Sequence, residues 1–279
     1  MKCRVCFSQA QVPVMTFSSP DAMERSAGIP EEGYRRVYYQ CSGCGSFNSN
    51  LDHNAPLADV FNKNYYEHVD GETITGKFER VMAMGGDQSD NWQRVERILE
   101  SVNRFQRDFS LVRSRVALDV GAGTGVYLAR LAIVAPDWKG LAVEPDVQAC
   151  EHLKRVLSGE VICDVLRPGL LPTKADLISL NRVMEHMPNP AEVLKVSVSS
   201  LAEGGVVYVE VPDTITFRLF GQDHPEFGSS HLTIFSMEGL QILFESSGLE
   251  VLEIQRRREP SGKLSLYALG CRKSDLKGW

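Results

Sequence analysis

The sequence predicts an α/β protein with a doubly wound, mostly parallel seven-stranded sheet that ends in an antiparallel hairpin. Strand-like and helix-like segments alternate through residues 111–279, a pattern typical of parallel sheets. Near the C-terminus, residues 249–255 and 264–271 alternate with period two on either side of a turn, which predicts the hairpin. Two Cys-x-x-Cys pairs near the N-terminus predict a separate small module.

The composition excludes several classes of protein. With 43% hydrophobic and 24% charged residues, the 279-residue chain is an ordinary globular protein of one or two domains. A net charge of −6 argues against extended contact with a nucleic-acid backbone, although a local basic patch stays open. We find no apolar run that could span a bilayer and no signal-peptide core, so we expect a cytoplasmic protein.

The paired cysteines indicate a metal site. Cys3 and Cys6 form one knuckle and Cys41 and Cys44 a second, and two such knuckles complete a tetrahedral four-sulfur site for zinc. Because protein would fill all four positions, the zinc would be structural; a redox dithiol is the alternative. In a reducing compartment we expect no disulfide framework, and the other three cysteines are predicted to be small buried side chains: Cys150, Cys163 and Cys271.

The cysteine pairs and the alternation of strands and helices predict that the chain is divided into three regions. Residues 1–60 are predicted to form a zinc-ribbon-like module, with a strand at 36–40. Residues 61–110 are predicted to form a lid or linker, including an aromatic cluster at 64–68 with a surface histidine, His68, and then a leading helix from Asn91. Residues 111–279 carry the sheet.

A glycine-rich loop is the strongest functional signal. Residues 116–120 read as a buried strand, and Gly121, Gly123 and Gly125 follow at alternate positions before a helical run that begins at Val126. Such a turn brings backbone N–H groups close to a nucleotide-type ligand. Asp119 would repel a pyrophosphate at close range, so it favours a cationic ligand such as S-adenosylmethionine. A structural turn in an ordinary α/β unit is the alternative.

This loop resembles the first motif of the class I S-adenosylmethionine-dependent methyltransferases, an acid followed by Gly-x-Gly-x-Gly after the first strand. The resemblance implies cofactor binding by the loop. Glu144 ends the second strand, where a carboxylate accepts hydrogen bonds from a ribose diol. Asp164 ends the third strand; the resemblance implies contact with the adenine amino group, and a helix cap is the alternative. Asn181 ends the fourth strand, beside the crevice that ligands occupy in such sheets.

Two histidines are candidates for the chemistry. His186 lies in residues 182–190, which resemble the Glu-His-containing motif of small-molecule methyltransferases; capping the next helix is its alternative role. His231 begins residues 231–236, which resemble the Glu-His-x-x-Tyr-Phe-Ser string of sugar C-methyltransferases, where the histidine is the base. Here Ser230 replaces the Glu and Ile234 the Tyr, so methylation of carbon and of oxygen both stay open. His224, in a predicted lid at 212–230, is the third candidate.

These features predict methyl transfer from S-adenosylmethionine to a small molecule, either a sugar, a nucleotide sugar or a glycan, at a hydroxyl or a carbon. Two alternatives stay open: a regulatory protein that binds the cofactor and docks a partner through the zinc module, and an RNA methyltransferase. The acidic balance of the chain disfavours the RNA methyltransferase.

Overall fold

The structure, a computed structural model, describes residues 1–51, 72–105 and 114–278. The predicted aromatic cluster at 64–68, with His68, lies outside the described residues, as does much of the predicted lid or linker. The leading helix is confirmed at Asp90–Phe105. Within the described ranges, no helix is both long and apolar enough to cross a membrane.

The main sheet has seven strands in the order β10-β11-β8-β7-β4-β5-β6. Neighbouring strands from β8 to β6 are parallel, whereas β10 and β11 pair antiparallel with each other and β11 pairs antiparallel with β8. This topology confirms the predicted fold and its terminal hairpin. The strands are β4 (Arg115–Val120), β5 (Trp138–Val143), β6 (Glu160–Ile162), β7 (Ala175–Asn181), β8 (Leu201–Pro212), β10 (Leu249–Arg258) and β11 (Leu264–Arg272).

A second, four-stranded sheet lies in the N-terminal module, in the order β1-β2-β3-β9. Its first three strands come from the N-terminus: β1 (Gln11–Phe17), β2 (Arg36–Cys41) and β3 (Phe47–Ser49). The fourth, β9 (Thr233–Ile234), comes from the far end of the chain and pairs antiparallel with β3. The main domain therefore contributes a strand to the N-terminal sheet.

Helices flank these sheets, and the last of them begins at a serine, a residue type that favours helix N-caps. The Ser236 hydroxyl accepts a hydrogen bond from the Gly239 N–H at the start of the last helix, and Gly248 follows its end with φ +91°. The helices are α1 (Ala22–Ser26), α2 (Ile74–Ala83), α3 (Asp90–Phe105), α4 (Val126–Val134), α5 (Val147–Val156), α6 (Pro190–Ser200), α7 (Ile215–Phe220) and α8 (Met237–Ser246).

The central strands are buried on both faces, which explains their continuous apolar sequence. Along β7, Leu177 packs into the core on one face of the sheet, while Ile178 and Leu180 pack into the core on the other. The carboxyl ends of β4 and β7 lie side by side because the two strands are parallel neighbours. This arrangement places the residues that follow both strands at one edge.

Two local predictions differ from the structure. Gly204 and Gly205, a pair typical of a turn before a strand, instead lie within β8, because residues 202–205 bulge out of its ladder between the pairs Ala175–Leu201 and Leu177–Val206. Cys150 and Cys163, predicted as separate buried side chains, form a disulfide. Their Cα atoms lie 5.8 Å apart because the start of α5 passes the end of β6, a proximity that the sequence separation does not reveal.

Candidate active site

The loop between β4 and α4 has the backbone geometry of a ligand-binding turn. Gly121 adopts φ +67°, and a Cβ there would lie 2.7 Å from the Cγ2 atom of Val183. Gly125 precedes α4 with φ +77°, also in the left-handed region. The Gly121 N–H donates to the Val143 carbonyl at 2.8 Å, which ties the loop to β5. The positive φ and this close contact together explain why position 121 is a glycine.

Asp119 lies at the end of β4 and is only 3% exposed. The Ser179 hydroxyl and the Asn181 amide donate hydrogen bonds to its Oδ1 at 2.7 and 2.9 Å. Burial raises the pKa of the Asp119 carboxyl to about 7, although these two hydrogen bonds oppose the increase. A cationic ligand beside this carboxyl would favour its ionised form.

Glu144 follows β5 and fastens the glycine loop. Its Oε2 accepts from the Gly123 N–H at 2.8 Å, and its Oε1 accepts from the Asp146 N–H at 3.0 Å. Burial raises the pKa of this carboxyl, and the two backbone hydrogen bonds act in the opposite direction. A carboxylate has about four lone-pair positions, so two remain for hydroxyl donors.

Asp164 lies farther out, beyond the end of β6. It accepts hydrogen bonds from the Arg167 guanidinium at 2.9 and 3.2 Å, and these hold the pKa of its carboxyl below the usual range. The described structure therefore shows Asp164 in a local ion pair, and its proposed contact with adenine stays a prediction.

One cavity of about 530 Å³ joins most of the predicted residues. Its wall includes the glycine loop, the ends of β4 and β7, and both candidate histidines. Glu144 and Asp164 are not in this wall, although Glu144 reaches it through the hydrogen bond to Gly123. A larger cavity of about 740 Å³, lined largely by apolar side chains, lies away from the loop. The predicted residues in the smaller cavity are Asp119, Gly121, Gly123, Asn181, His186 and His231.

The two histidines lie together, with ring centroids 4.9 Å apart. The Nδ1 atom of His231 is 2.7 Å from the Glu226 carbonyl, and that of His186 is 2.8 Å from the Ser230 carbonyl. Because a carbonyl only accepts, Nδ1 of His231 carries the proton and its Nε2 is the basic atom. Burial lowers the pKa of His231 to about 4 against the opposing effect of Glu226, so the ring is neutral at pH 7.

A buried charge network surrounds these rings. Arg182 has φ +61°, unusual for a residue other than glycine, and its guanidinium pairs with Glu226 and, at 3.2 Å, with Glu185. Burial raises the pKa of Glu185 to about 7. The side chains of Glu185, His186 and His231 could in principle hold a metal ion, since their ligand atoms lie within 4.8 Å of one another. The Arg182 guanidinium is shared between Glu185 and Glu226, and neither oxygen of Glu185 has a hydrogen-bond partner among the described residues.

The four N-terminal cysteines meet in one cluster whose sulfur atoms all lie within 4.8 Å of one another. Sγ of Cys3 is 3.7 Å from that of Cys44, and Sγ of Cys6 is 3.4 Å from that of Cys41. A tetrahedral zinc site with bonds of about 2.3 Å has edges of about 3.8 Å, close to these distances. Backbone N–H groups of Val5 and Gly43 point at the Cys3 and Cys41 sulfurs at 3.4 Å, which favours thiolates.

Comparison with known proteins identifies the fold and the general chemistry. The family described as "Methyltransferase domain" matches residues 91–254, more than half of the chain. The chain belongs to this methyltransferase family. Its fold is that of the class I methyltransferases, as the resemblance of its glycine loop implies.

Curated relatives of this methyltransferase act at different atoms. The C-methyltransferase NovU of Streptomyces niveus is 25% identical over 187 residues, which cover 64% of this chain and 43% of NovU. A ubiquinone biosynthesis O-methyltransferase of Methylococcus capsulatus is 28% identical over 124 residues, covering 39% of this chain and 50% of that enzyme. The matches thus span half or less of these relatives.

Solved structures support the fold of the methyltransferase. The match to DesVI of Streptomyces venezuelae includes 72% of this chain and 99% of DesVI, with a TM-score of 0.53 and 16% identity. A second match is to the magnesium protoporphyrin IX methyltransferase of Synechocystis PCC 6803. It includes 77% of this chain and the full length of that enzyme, with a TM-score of 0.54 and 11% identity.

Sequence reasoning missed the charged residues of the methyltransferase site. Arg94 and Arg97, on α3, both bind the buried carboxylate of Glu210 on β8. Glu210 lies within an otherwise apolar stretch of β8. Because a buried acid is usually paired, its position in the sequence could have indicated a buried cation nearby. Nothing in the sequence indicated Arg182, whose role depends on its unusual backbone conformation.

Proposed function

We propose that the methyltransferase transfers a methyl group to a sugar, a nucleotide sugar or a glycan, at a hydroxyl or at a carbon. The observation that carries this proposal is the shared cavity, in which the glycine loop and a neutral, largely buried histidine, His231, line the same space. Similarity to a C-methyltransferase and to O-methyltransferases supports both kinds of acceptor atom.

The cofactor side of the cavity fits S-adenosylmethionine, which supplies an electrophilic methyl group on a sulfonium. The buried Oδ1 of Asn181 lacks a hydrogen-bond partner among the described residues, and Asp119 adds a carboxyl whose pKa is near neutral. Both groups suit a ligand that carries a cationic donor. Gly121 and Gly123 would lie against the ligand, Glu144 would accept from the ribose hydroxyls, and Asp164 would meet the adenine.

His231 is the proposed base. Its Nε2 lone pair accepts the proton that a hydroxyl acceptor loses as its oxygen forms the new bond to carbon. Glu226 Oε2 lies 3.5 Å from His231 Nδ1 and stabilises the ring while it carries that proton. His186, in edge contact with His231, is proposed to orient the acceptor.

We also propose that Cys3, Cys6, Cys41 and Cys44 bind one structural zinc ion. The sulfur separations match a tetrahedral site, and the N–H groups directed at two of the sulfurs are typical partners of metal thiolates. Because all four positions would be occupied by sulfur, the ion would stabilise the module and take no part in methyl transfer.

The acceptor can be found with a panel of nucleotide sugars, free sugars and RNA, incubated with S-adenosylmethionine and followed by S-adenosylhomocysteine formation and product mass. We expect turnover with a sugar compound, and His231→Gln to lower kcat by about 10²–10⁴ with little change in cofactor affinity. Glu238→Gln is the control, because Glu238 lies on α8 and is not among the residues of the cavity wall. Turnover confined to RNA, or wild-type rates for His231→Gln and His186→Gln, would contradict the proposal.

A further inference from the structure

We infer that the N-terminal module positions the catalytic segment, and that Tyr38 on β2 is a positioning residue for His231. This inference rests on the proposed role of His231 as the base. The segment in question is 227–236, which begins in the last part of the predicted lid, contains β9 and leads into α8.

Tyr38 contacts the backbone of that segment directly. Its hydroxyl oxygen lies 2.5 Å from the His231 carbonyl oxygen and 3.0 Å from that of Gly228, and the side chain is fully buried. The ring is held edge-on between Phe17 and Phe227. Burial raises the pKa of the Tyr38 hydroxyl above its usual range, so near neutral pH it keeps its one proton, which it donates to the nearer His231 carbonyl or shares with that of Gly228.

Further hydrogen bonds fix the next residue of the segment from both sides. The Leu232 carbonyl accepts from the Ser49 N–H of β3 at 2.9 Å, and the Leu232 N–H donates to the Glu185 carbonyl at 2.8 Å. The Cα of Asn48 then pairs with that of Thr233 in the β3–β9 ladder. The backbone next to His231 is therefore held between the module and the short turn after β7 that contains the other histidine, His186.

The same segment reaches the cysteine cluster at its far end. The Ser236 hydroxyl donates to the Cys44 carbonyl, and the Ser46 hydroxyl accepts from the Ser236 N–H at 3.2 Å. Asn48 links this strand to the cluster, because its amide nitrogen lies 3.4 Å from Sγ of Cys3. A change in the conformation of the two Cys-x-x-Cys pairs should therefore shift the backbone of segment 227–236, through its contacts with β3 and Ser46.

This arrangement gives the module a part in methyl transfer without any contact with the acceptor. The side-chain orientation of His231 is set locally, by the hydrogen bond to the carbonyl of Glu226, the residue just before this segment. Its position relative to the glycine loop depends on where the module holds that segment. A displacement of about 1 Å in a reacting group lowers rates by about 10²-fold. Loss of the Tyr38 hydroxyl should therefore lower the rate of methyl transfer.

The test compares Tyr38→Phe with Tyr39→Phe. Tyr39 is the next residue on β2 and points to the other face, and no hydrogen bond of its hydroxyl is found in the described part of the chain. Ring-nitrogen NMR on protein with labelled histidine reports the hydrogen bonding and surroundings of the His231 ring, since only six histidines need assignment and His231→Gln identifies its signals. Chelation of the metal provides a second perturbation of the same signals.

We expect Tyr38→Phe and metal removal to shift the His231 ring signals, and Tyr39→Phe to leave them unchanged. With an acceptor from the sugar panel, Tyr38→Phe should lower kcat about 10- to 100-fold at unchanged S-adenosylmethionine affinity. If Tyr38→Phe does not fold, Ser46→Ala removes another link and should shift the same signals. Unmoved signals in the folded variant overturn the inference. Wild-type turnover of His231→Gln instead overturns the proposed base, whatever the NMR shows.

Discussion

The raised pKa of Asp119 makes cofactor affinity depend on pH. The perturbation is a change of pH from 8 to 6, and the group concerned is a carboxyl whose pKa burial raises from 3.8 to about 7. If S-adenosylmethionine binds the carboxylate form, protein with protonated Asp119 must first release that proton. The apparent Kd then grows as the fraction of ionised Asp119 falls.

The size of the effect follows from that pKa. At pH 8 about nine-tenths of Asp119 is ionised, and at pH 6 about one-tenth, so the apparent Kd should increase about tenfold between these pH values. Binding should release about half a proton per site at pH 7. The stabilising contacts of Asp119 with Ser179 and Asn181 are already present before the ligand binds, and they are included in this pKa.

Calorimetry at pH 6, 7 and 8, in buffers of different ionisation enthalpy, measures both quantities. Asp119→Asn is the matched control, because it keeps the shape of the side chain and leaves the ionisation of the ligand itself unchanged. The variant should bind more weakly at pH 8 and show little further loss at pH 6. An equal Kd for the wild type at all three pH values, without proton release, would refute the assignment of Asp119 to a cationic ligand.

Three other predictions concern the cofactor, the metal and the base. Glu144→Ala should weaken S-adenosylmethionine binding by about 1.5–3 kcal/mol in calorimetry, because charge-assisted hydrogen bonds are lost; an unchanged Kd would remove Glu144 from the ribose role. Metal analysis should find one zinc per chain, and none after Cys41→Ser; two metals per chain would instead favour a site at Glu185, His186 and His231. The pKa of His231 is about 4 when folded and 6.5 when unfolded, so unfolding takes up a proton between these values and stability falls as the pH decreases from 6.5 to 4. Urea titrations should show wild type losing up to about 3 kcal/mol relative to His231→Gln over this range, and parallel losses would contradict the lowered pKa.

Periodicity and turn chemistry were sufficient to predict the main sheet. The buried strand before Gly121, the cap at Ser236 and the alternating segments of the hairpin are local signals, and each is where the structure has it. The glycine loop was also predictable from local sequence, because Gly121, Gly123 and Gly125 all adopt a positive φ, which glycine tolerates best. The conformation of these parts of the protein is determined largely by residues close together in the sequence, so it could be predicted.

Contacts between distant parts of the chain could not be predicted in the same way. The pairing of β9 with β3 joins residues far apart in sequence, and the two residues of β9 are too few to give a strand pattern. The Cys150–Cys163 disulfide depends on how α5 passes β6. Composition alone also could not show that Arg182 adopts a left-handed backbone conformation and places its guanidinium beside Glu226.

A histidine with a pKa near 4 can still act as the base here, because positive charge develops on the acceptor oxygen as it receives the methyl group. The acceptor proton becomes strongly acidic as its oxygen forms the new bond, so a weak base is sufficient to take it. Before transfer, Arg182 and the low polarity around His231 keep the ring neutral and its lone pair available. As the ring gains the proton, Glu226, whose pKa is held below the usual range by Arg182 and His231, supplies the compensating negative charge. Glu226→Gln should therefore lower kcat while leaving cofactor affinity unchanged, and the loss should be greater than for Glu238→Gln, a control on α8 outside the cavity wall. Equal rates for the two variants would show that the proton does not rest on His231.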